Sequence, residues 1–338
     1  MSVSDNTHTV GLWPVIAALG GNTIVTVFKF TAAITSGSSA MFSEAIHSVA
    51  DTSNQVLLLI GLKRSRKKAD EDFGYGYGLE RFFWALLSAC GVFFVGAGVT
   101  ISHGIGSLLE PHPIEIQMSV FVVLFVSLVV ESWTLFLAVR SLERMFPDHT
   151  WRERMAIADP TTLAVCLEDG VAVIGVILAA ASIGLSYYTR NPLWDAIGSL
   201  LIGLMLAGVA TTLIMRNKSY LLGRAIPEDL KEEIIASMKT DPAIEKVIDF
   251  KSSVLDIGVY RIKCEVEMTG SALLKEIYKH NSLKEEYEEV HNDFEEFKKF
   301  CVGYSNRIPR MIGKHIDKLE ARLRKEFPAV RHIDIEIN

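Results

Sequence analysis

The sequence predicts an α-helical membrane protein, with six transmembrane helices followed by a C-terminal cytoplasmic α+β domain. Charge density divides the chain, because residues 1–222 carry 31 charged side chains whereas residues 223–338 carry 43 in about half the length. The first part contains six apolar stretches that each approach the ~20 residues needed to cross a bilayer. The second part instead alternates polar and apolar residues. We therefore expect a six-helix transmembrane domain over 1–222 and a water-exposed domain over 223–338.

Six apolar stretches define the predicted spans. A run such as Phe121 to Val130 is apolar on every side, whereas helices of soluble proteins have a polar face. We therefore interpret these stretches as membrane spans rather than as buried helices of a soluble protein. The spans cover roughly 12–34, 41–62, 82–106, 117–139, 161–183 and 194–215.

Basic residues predict the orientation of the spans. They are concentrated after the second, fourth and sixth spans, and the loops on the other side contain only Arg190. By the positive-inside bias, both termini and the second part are expected in the cytoplasm. The first residues, MSVSDNTHTV, have neither a signal-peptide pattern nor a transit-like stretch. This favours a bacterial plasma membrane over a mitochondrial membrane.

The sequence of the second part predicts a small α+β domain. A helix is predicted to start at Pro227, and charge-rich or amphipathic helical segments lie later in the chain. Three stretches alternate in the manner of strands. A helical insert is expected at about 271–301 and contains a charge-rich helical region over 273–300, and a second amphipathic run follows over 310–327. The predicted strands are 246–254, 259–268 and 330–337.

Composition also excludes two classes of protein. Both parts carry slightly more acidic than basic residues, so neither offers the basic surface that nucleic acid requires. The four cysteines lie far apart, with no CxxC pair. A disulfide framework or a cysteine-rich zinc module is therefore not expected.

The second span contains polar residues that a bilayer makes costly, in the segment SEAIHSVADTSNQ. At 3.6 residues per turn, Glu44, His47, Asp51, Asn54 and Gln55 fall on one narrow stripe. His47 and Asp51 are four residues apart, so an imidazole nitrogen and a carboxylate oxygen lie one above the other. Such a pair can provide half of a tetrahedral zinc site.

The fifth span contributes Glu168 and Asp169, about eight residues into an otherwise apolar stretch. Adjacent helical residues point about 100° apart, so we expect only one of them to face the second span directly. Asp169 shares its face with three residues, Thr162, Val165 and Cys166. Glu168 is expected to act from a neighbouring position or to handle protons.

Two further charged residues lie within predicted spans. Lys29 in the first span is expected to snorkel to the interface or to pair with an acidic neighbour. Glu131 in the fourth span could pair with Lys29 or with Arg140. A structural interpretation of the acidic residues, as partners of Lys29, stands beside the metal interpretation.

In these residues and in the motifs quoted next, the chain resembles the cation diffusion facilitator family over nearly its whole length. GSSAMFSEAIHSVADTSNQ, FGYGYGLERFFW and LLGRAIPEDL are similar to three signatures of that family. Within the family the chain resembles the zinc transporter nine branch, in its fifth span, its helical insert and its VRHIDIEIN terminus. The resemblance implies divalent-metal transport driven by proton exchange, a homodimer in a lipid bilayer, and a ferredoxin-like C-terminal domain.

The resemblance also implies a ligand set. His47, Asp51 and Asp169 occupy ligand positions, and Glu168, Asn54 or a water would complete the shell, because the residue four before Asp169 is a valine. Zinc suits one imidazole with carboxylates, although manganese, iron(II) and cobalt accept the same ligands. Metal loading would release protons from these ligands, which makes the expected carrier a proton-coupled antiporter with alternating access.

Two other classes of function remain as alternatives. An intramembrane hydrolase would need a zinc-activated water or a nucleophile beside a base, and no such motif stands in the sequence. A membrane sensor would use the helices only as an anchor. Regulatory metal binding in the second part is left open for the residues His280, His291, His315, His332 and Asp334.

Overall fold

The computed structural model describes residues 12–111, 118–278 and 283–338. Two compact units divide the chain, with the boundary between Leu221 and Leu222. The N-terminal segment used above to predict the compartment lies outside the described residues, as does His280.

Six long helices of the first unit lie at the six predicted spans. A seventh, short helix precedes the fifth span and begins with a capping box between Thr150 and Glu153, which satisfies two backbone donors. The helices are α1 Leu12–Ser36, α2 Ser39–Ser65, α3 Glu80–Leu109, α4 Met118–Met145, α5 Trp151–Ile157, α6 Pro160–Thr189 and α7 Leu193–Leu221.

Four of these helices, α3, α4, α6 and α7, are long and apolar enough to cross a membrane by length and composition. The other two long helices, α1 and α2, have 25 and 27 residues, more than the ~20 that a crossing needs. Helix α2 is less apolar than the four because it contains the polar segment SEAIHSVADTSNQ. Within α3, Val92–Ala97 forms a π-helical segment, a local widening that often marks functional regions of helices.

The turn from α1 to α2 is fixed by a carboxylate from a distant helix. Gly37 has a positive φ of 65°, which glycine adopts without strain. Ser38 then caps α2, since its side chain accepts a hydrogen bond from the Met41 backbone N–H. The buried Asp195 of α7 accepts from the Ser38 hydroxyl at 2.6 Å and from the Ser39 N–H at 2.5 Å. This carboxylate therefore anchors the start of α2 to α7.

The second unit is an α+β domain with a three-stranded sheet in the order β1-β2-β3. Strand β2 pairs antiparallel with β1 and parallel with β3. The apolar core of this unit is formed by residues such as Ile234, Ile262, Leu323 and Ile335. The elements are α8 Glu228–Lys239, β1 Ile244–Asp256, β2 Val259–Met268, α9 Gly270–Ile277, α10 Leu283–Val290, α11 Phe294–Glu326 and β3 Val330–Ile337.

The sequence interpretation of two separate helical segments between β2 and β3 was wrong at their junction. Helix α11 runs without interruption for 33 residues and contains Pro309, whereas we expected one segment to end near residue 300 and another to begin near 310. Proline removes one backbone donor and usually breaks or kinks a helix. Burial of Leu319 and Leu323 anchors only the C-terminal part of α11 in the core.

The cysteines of the second unit provide a test of this core. Cys264 is fully buried, and Cys301 is exposed on α11. Burial, with a smaller contribution from Asp334, raises the pKa of the Cys264 thiol to about 12. Because the thiolate is the reactive form, a maleimide should label Cys301 in the native protein and Cys264 only after unfolding. Mass spectrometry of a Cys90→Ser/Cys166→Ser protein, with and without denaturant, would measure both; equal native labelling would contradict this core.

Candidate functional site

The polar stripe of α2 lies inside the helix bundle, as its spacing predicted. Glu44, His47 and Asn54 are buried, and Asp51 and Gln55 are half-buried. Helix α2 can present these residues together because its start is held by the serine cap and by the carboxylate from α7. The stripe is therefore an interior feature of the bundle.

A cavity of about 520 Å³ opens beside this stripe, between α1, α2, α4 and α6. Four carboxylates from three helices line it: Asp51, Glu131, Glu168 and Asp169. In an environment of low dielectric constant, such a group of acidic side chains attracts cations strongly. The cavity is thus a candidate cation-binding chamber, and it contains three of the four predicted ligands.

Helix α6 presents both of its acidic residues to the cavity. The helix begins at Pro160 after Asp159, whose carboxylate accepts from the backbone N–H groups of Thr161 and Thr162 at 2.9 and 3.1 Å. The predicted companions of Asp169 on its face, Thr162, Val165 and Cys166, line the cavity as well. Glu168 also lines it, so the two acidic residues share one chamber although they point in different directions.

Asn54 connects Glu168 to two other helices. Its side-chain N–H donates to Glu168, and its carbonyl oxygen accepts from the Ser88 hydroxyl of α3 at 2.5 Å. Of the two acidic residues of α6, Glu168 is therefore the one with a direct hydrogen bond to the α2 stripe. This contact orients Glu168, and the use of Asn54 as a ligand stays a prediction.

His47 lies deeper than the carboxylates, with an exposed fraction of 1%. Its Nε2 is 3.5 Å from Asp51 Oδ2, as the spacing of four residues predicted. Neither ring nitrogen has a hydrogen-bond partner among the described residues. His47 is not among the residues that line the cavity, so it adjoins the chamber through Asp51.

The predicted ligands are thus neighbours without forming a closed metal shell. Within residues 12–111, 118–278 and 283–338, no group of three His, Cys, Asp or Glu side chains is close enough to hold a metal ion. The assignment of His47, Asp51, Asp169 and Glu168 as ligands therefore stays a prediction. A bound cation would have to draw these side chains closer together.

Sequence reasoning offered Lys29 as one of two possible partners of Glu131, but it did not name Glu44 as a partner of Lys29. Lys29 pairs with Glu44 and Glu131 at 2.9 and 2.6 Å, so it pairs with acidic neighbours and does not snorkel. The sequence marked Lys29 and Glu131 as costly, but it could not choose between possible partners. The anchoring role of Asp195 was also missed; its position at the start of an apolar span was the available signal.

The histidines of the second unit are placed apart from one another. His315 lies 3.0 Å from Asp241, and His291 contacts the backbone oxygen of Glu288. His332 lies on β3, where partial burial and the nearby Arg261 lower the pKa of its imidazole. In the described part of this unit these histidines form no common cluster, and regulatory metal binding stays an open expectation.

Comparison with known proteins places this chain in a family. The sequence model of the cation efflux transmembrane domain matches residues 15–222. The chain is 37% identical over 329 residues to the human protein named proton-coupled zinc antiporter SLC30A9, mitochondrial, and 33% identical over 335 residues to metal tolerance protein C4 of Arabidopsis thaliana. These alignments cover 96% and 95% of the chain, and 58% and 72% of the relatives. The chain thus spans less than two thirds of the human protein. The predicted resemblance to the zinc transporter nine branch is confirmed.

The expected bacterial plasma membrane was wrong. The human relative and its Xenopus laevis counterpart, which is 34% identical over 332 residues, both carry the word mitochondrial in their names. The expectation depended on the composition of the first ten residues. That segment carries little information, since the chain corresponds to only 58–59% of the length of these relatives.

The two acidic residues of α6 should respond differently to substitution. We expect Asp169→Asn to eliminate zinc binding, because it removes a negative charge at a predicted ligand position. Glu168→Gln should weaken binding while leaving part of it, since Glu168 already accepts a hydrogen bond from Asn54 and water can replace one oxygen ligand. Calorimetry on the purified full chain would measure both, with Glu143→Gln on the exposed side of α4 as the control. The reverse order would identify Glu168 as the main ligand.

Proposed function

Because the chain belongs to the family of cation efflux proteins, we propose that it carries a divalent metal ion, zinc, across a membrane in exchange for protons. The observation that supports this most directly is the chamber lined by four carboxylates from α2, α4 and α6. Charged groups inside a membrane domain are costly and mark ion pathways. A membrane sensor would have no need for such a chamber, and membership of an efflux family identifies a transporter rather than an enzyme.

The proposed zinc ligands are His47, Asp51 and Asp169, with Glu168 or a water as the fourth. Zinc accepts one imidazole together with carboxylates in a tetrahedral arrangement. The relatives support this choice by name, as a zinc antiporter and as a metal tolerance protein. Manganese, iron(II) and cobalt accept the same donor types. Competition by these ions against zinc would rank them.

Proton exchange follows from the chemistry of these ligands. Zinc binds neutral imidazole and ionised carboxylates, so loading displaces any protons that the ligands hold. Protonation of the same groups from the other side of the membrane lowers their affinity and releases the ion. The carrier would therefore alternate between two access states around one site, with zinc and protons competing for the same atoms.

We also propose that the carrier acts as a homodimer and that the second unit contributes to dimer contacts rather than to transport chemistry. The second unit has its own apolar core and lacks a clustered ligand set in its described part. Both features suit a structural role for this unit. We therefore expect removal of the second unit to affect assembly more than ion selectivity. Light scattering of the full and shortened chains would measure assembly, and competition among metal ions would measure selectivity.

Transport itself is the decisive test. In proteoliposomes, we expect zinc uptake to depend on an imposed pH gradient. Asp51→Asn should reduce the initial rate at least roughly tenfold, because the variant loses a proposed ligand. A loss of about 1.4 kcal/mol of binding free energy already lowers the affinity for zinc tenfold. Radioactive zinc would be followed at equal protein incorporation, with Glu143→Gln as the control. Gradient-independent uptake would contradict proton exchange, and a normal rate for Asp51→Asn would contradict the proposed site.

A further inference from the structure

A fully buried lysine joins three helices beside the cation chamber. Lys29 of α1 has an exposed fraction of 0%. Its Nζ lies 2.9 Å from Glu44 Oε2 on α2 and 2.6 Å from Glu131 Oε1 on α4. We call these three residues the Lys29 triad. Burying an ammonium group is unfavourable unless it is paired and hydrogen-bonded, so these two contacts stabilise Lys29 at this position.

With Lys29 protonated and both glutamates ionised, the triad has a net charge of −1. One oxygen of each carboxylate, Glu44 Oε1 and Glu131 Oε2, is buried with no hydrogen-bond partner among the described residues. The fold leaves room for Glu44 at Gly175 of α6, where a Cβ atom would collide with Glu44 Oε1. These two oxygens are therefore shielded from solvent, while the other oxygen of each carboxylate is paired with Lys29.

The two glutamates lie at different positions relative to the chamber. Glu131 lines it together with Asp51 and Asp169, whereas Glu44 does not line it and lies one helical turn before His47. In a medium of low dielectric constant, a buried charge acts over several ångströms without contact. The charge of Lys29 and Glu44 can thus reach a bound cation that neither side chain touches.

We infer that the Lys29 triad sets the electrostatic potential of the chamber and thereby its affinity for a divalent cation. Four carboxylates alone would hold a divalent ion too tightly for release, and Lys29 offsets part of their charge. Glu44 in turn limits how much of that positive charge the cation experiences. The role is one of tuning, because Lys29 and Glu44 act on the ion through the field and not as ligands. The inference rests on the proposed function, since it assumes that the chamber binds zinc.

Two variants separate this electrostatic role from a structural one. Glu44→Gln raises the net charge of the triad from −1 to 0, and we expect it to weaken zinc binding by about tenfold. Lys29→Met/Glu44→Gln restores the net charge to −1, and we expect its affinity to return to within roughly threefold of the wild-type value. A purely structural triad predicts the opposite, because the double variant loses both ion pairs.

The measurement is calorimetry with zinc alone on the full chain at one fixed pH, together with KM and kcat in proteoliposomes. Glu143→Gln, at an exposed carboxylate of α4 outside the chamber, serves as the control for loss of a carboxylate and should leave zinc affinity unchanged. A double variant that binds no better than Glu44→Gln would overturn the inference. Failure of wild-type protein to bind or transport zinc would instead refute the proposed function, and the two failures are thereby distinguishable.

Discussion

The free-energy cost of burying charge inside an apolar helix bundle determines how the charged side chains of the first unit are arranged. Each ionised group there needs a partner, a hydrogen-bond donor or a cation. Lys29 meets this requirement through two glutamates, and Asp195 meets it through the hydroxyl and backbone groups at the start of α2. These contacts tie α1, α2, α4 and α7 together at defined points. The position of the chamber follows from them, because they fix which face of α2 is turned inward.

The chamber differs from these two clusters in leaving its negative charge unmatched. Asp51, Glu168 and Asp169 line it together with Glu131, and of these four only Glu131 has a lysine partner within the described part of the chain. An interior region with excess negative charge is unfavourable when empty and favourable when it holds a cation. This imbalance is the physical basis for proposing that the chamber binds a divalent ion and exchanges it for protons, which neutralise the same carboxylates.

The second unit follows the ordinary rules of a water-exposed domain. Its helices place leucines and isoleucines against one sheet, and ion pairs such as Lys263 with Glu336 are exposed. Exposed pairs of this kind contribute little stability, so the apolar core holds the unit together.

Local sequence patterns determined the positions of the long helices and strands and one face of α2. Apolar runs located the six long helices, alternation located the strands, and the 3.6-residue period put His47 and Asp51 on one interior face, because these features depend on neighbours in sequence. The continuation of α11 through Pro309 was not predictable, since local chemistry opposes it. Only the tertiary structure decided that Lys29 joins Glu44 to Glu131, that Asn54 holds Glu168 and that Asp195 anchors α2. Each of these contacts joins different helices, and helical spacing shows which way a side chain points on its own helix but not which helix lies opposite.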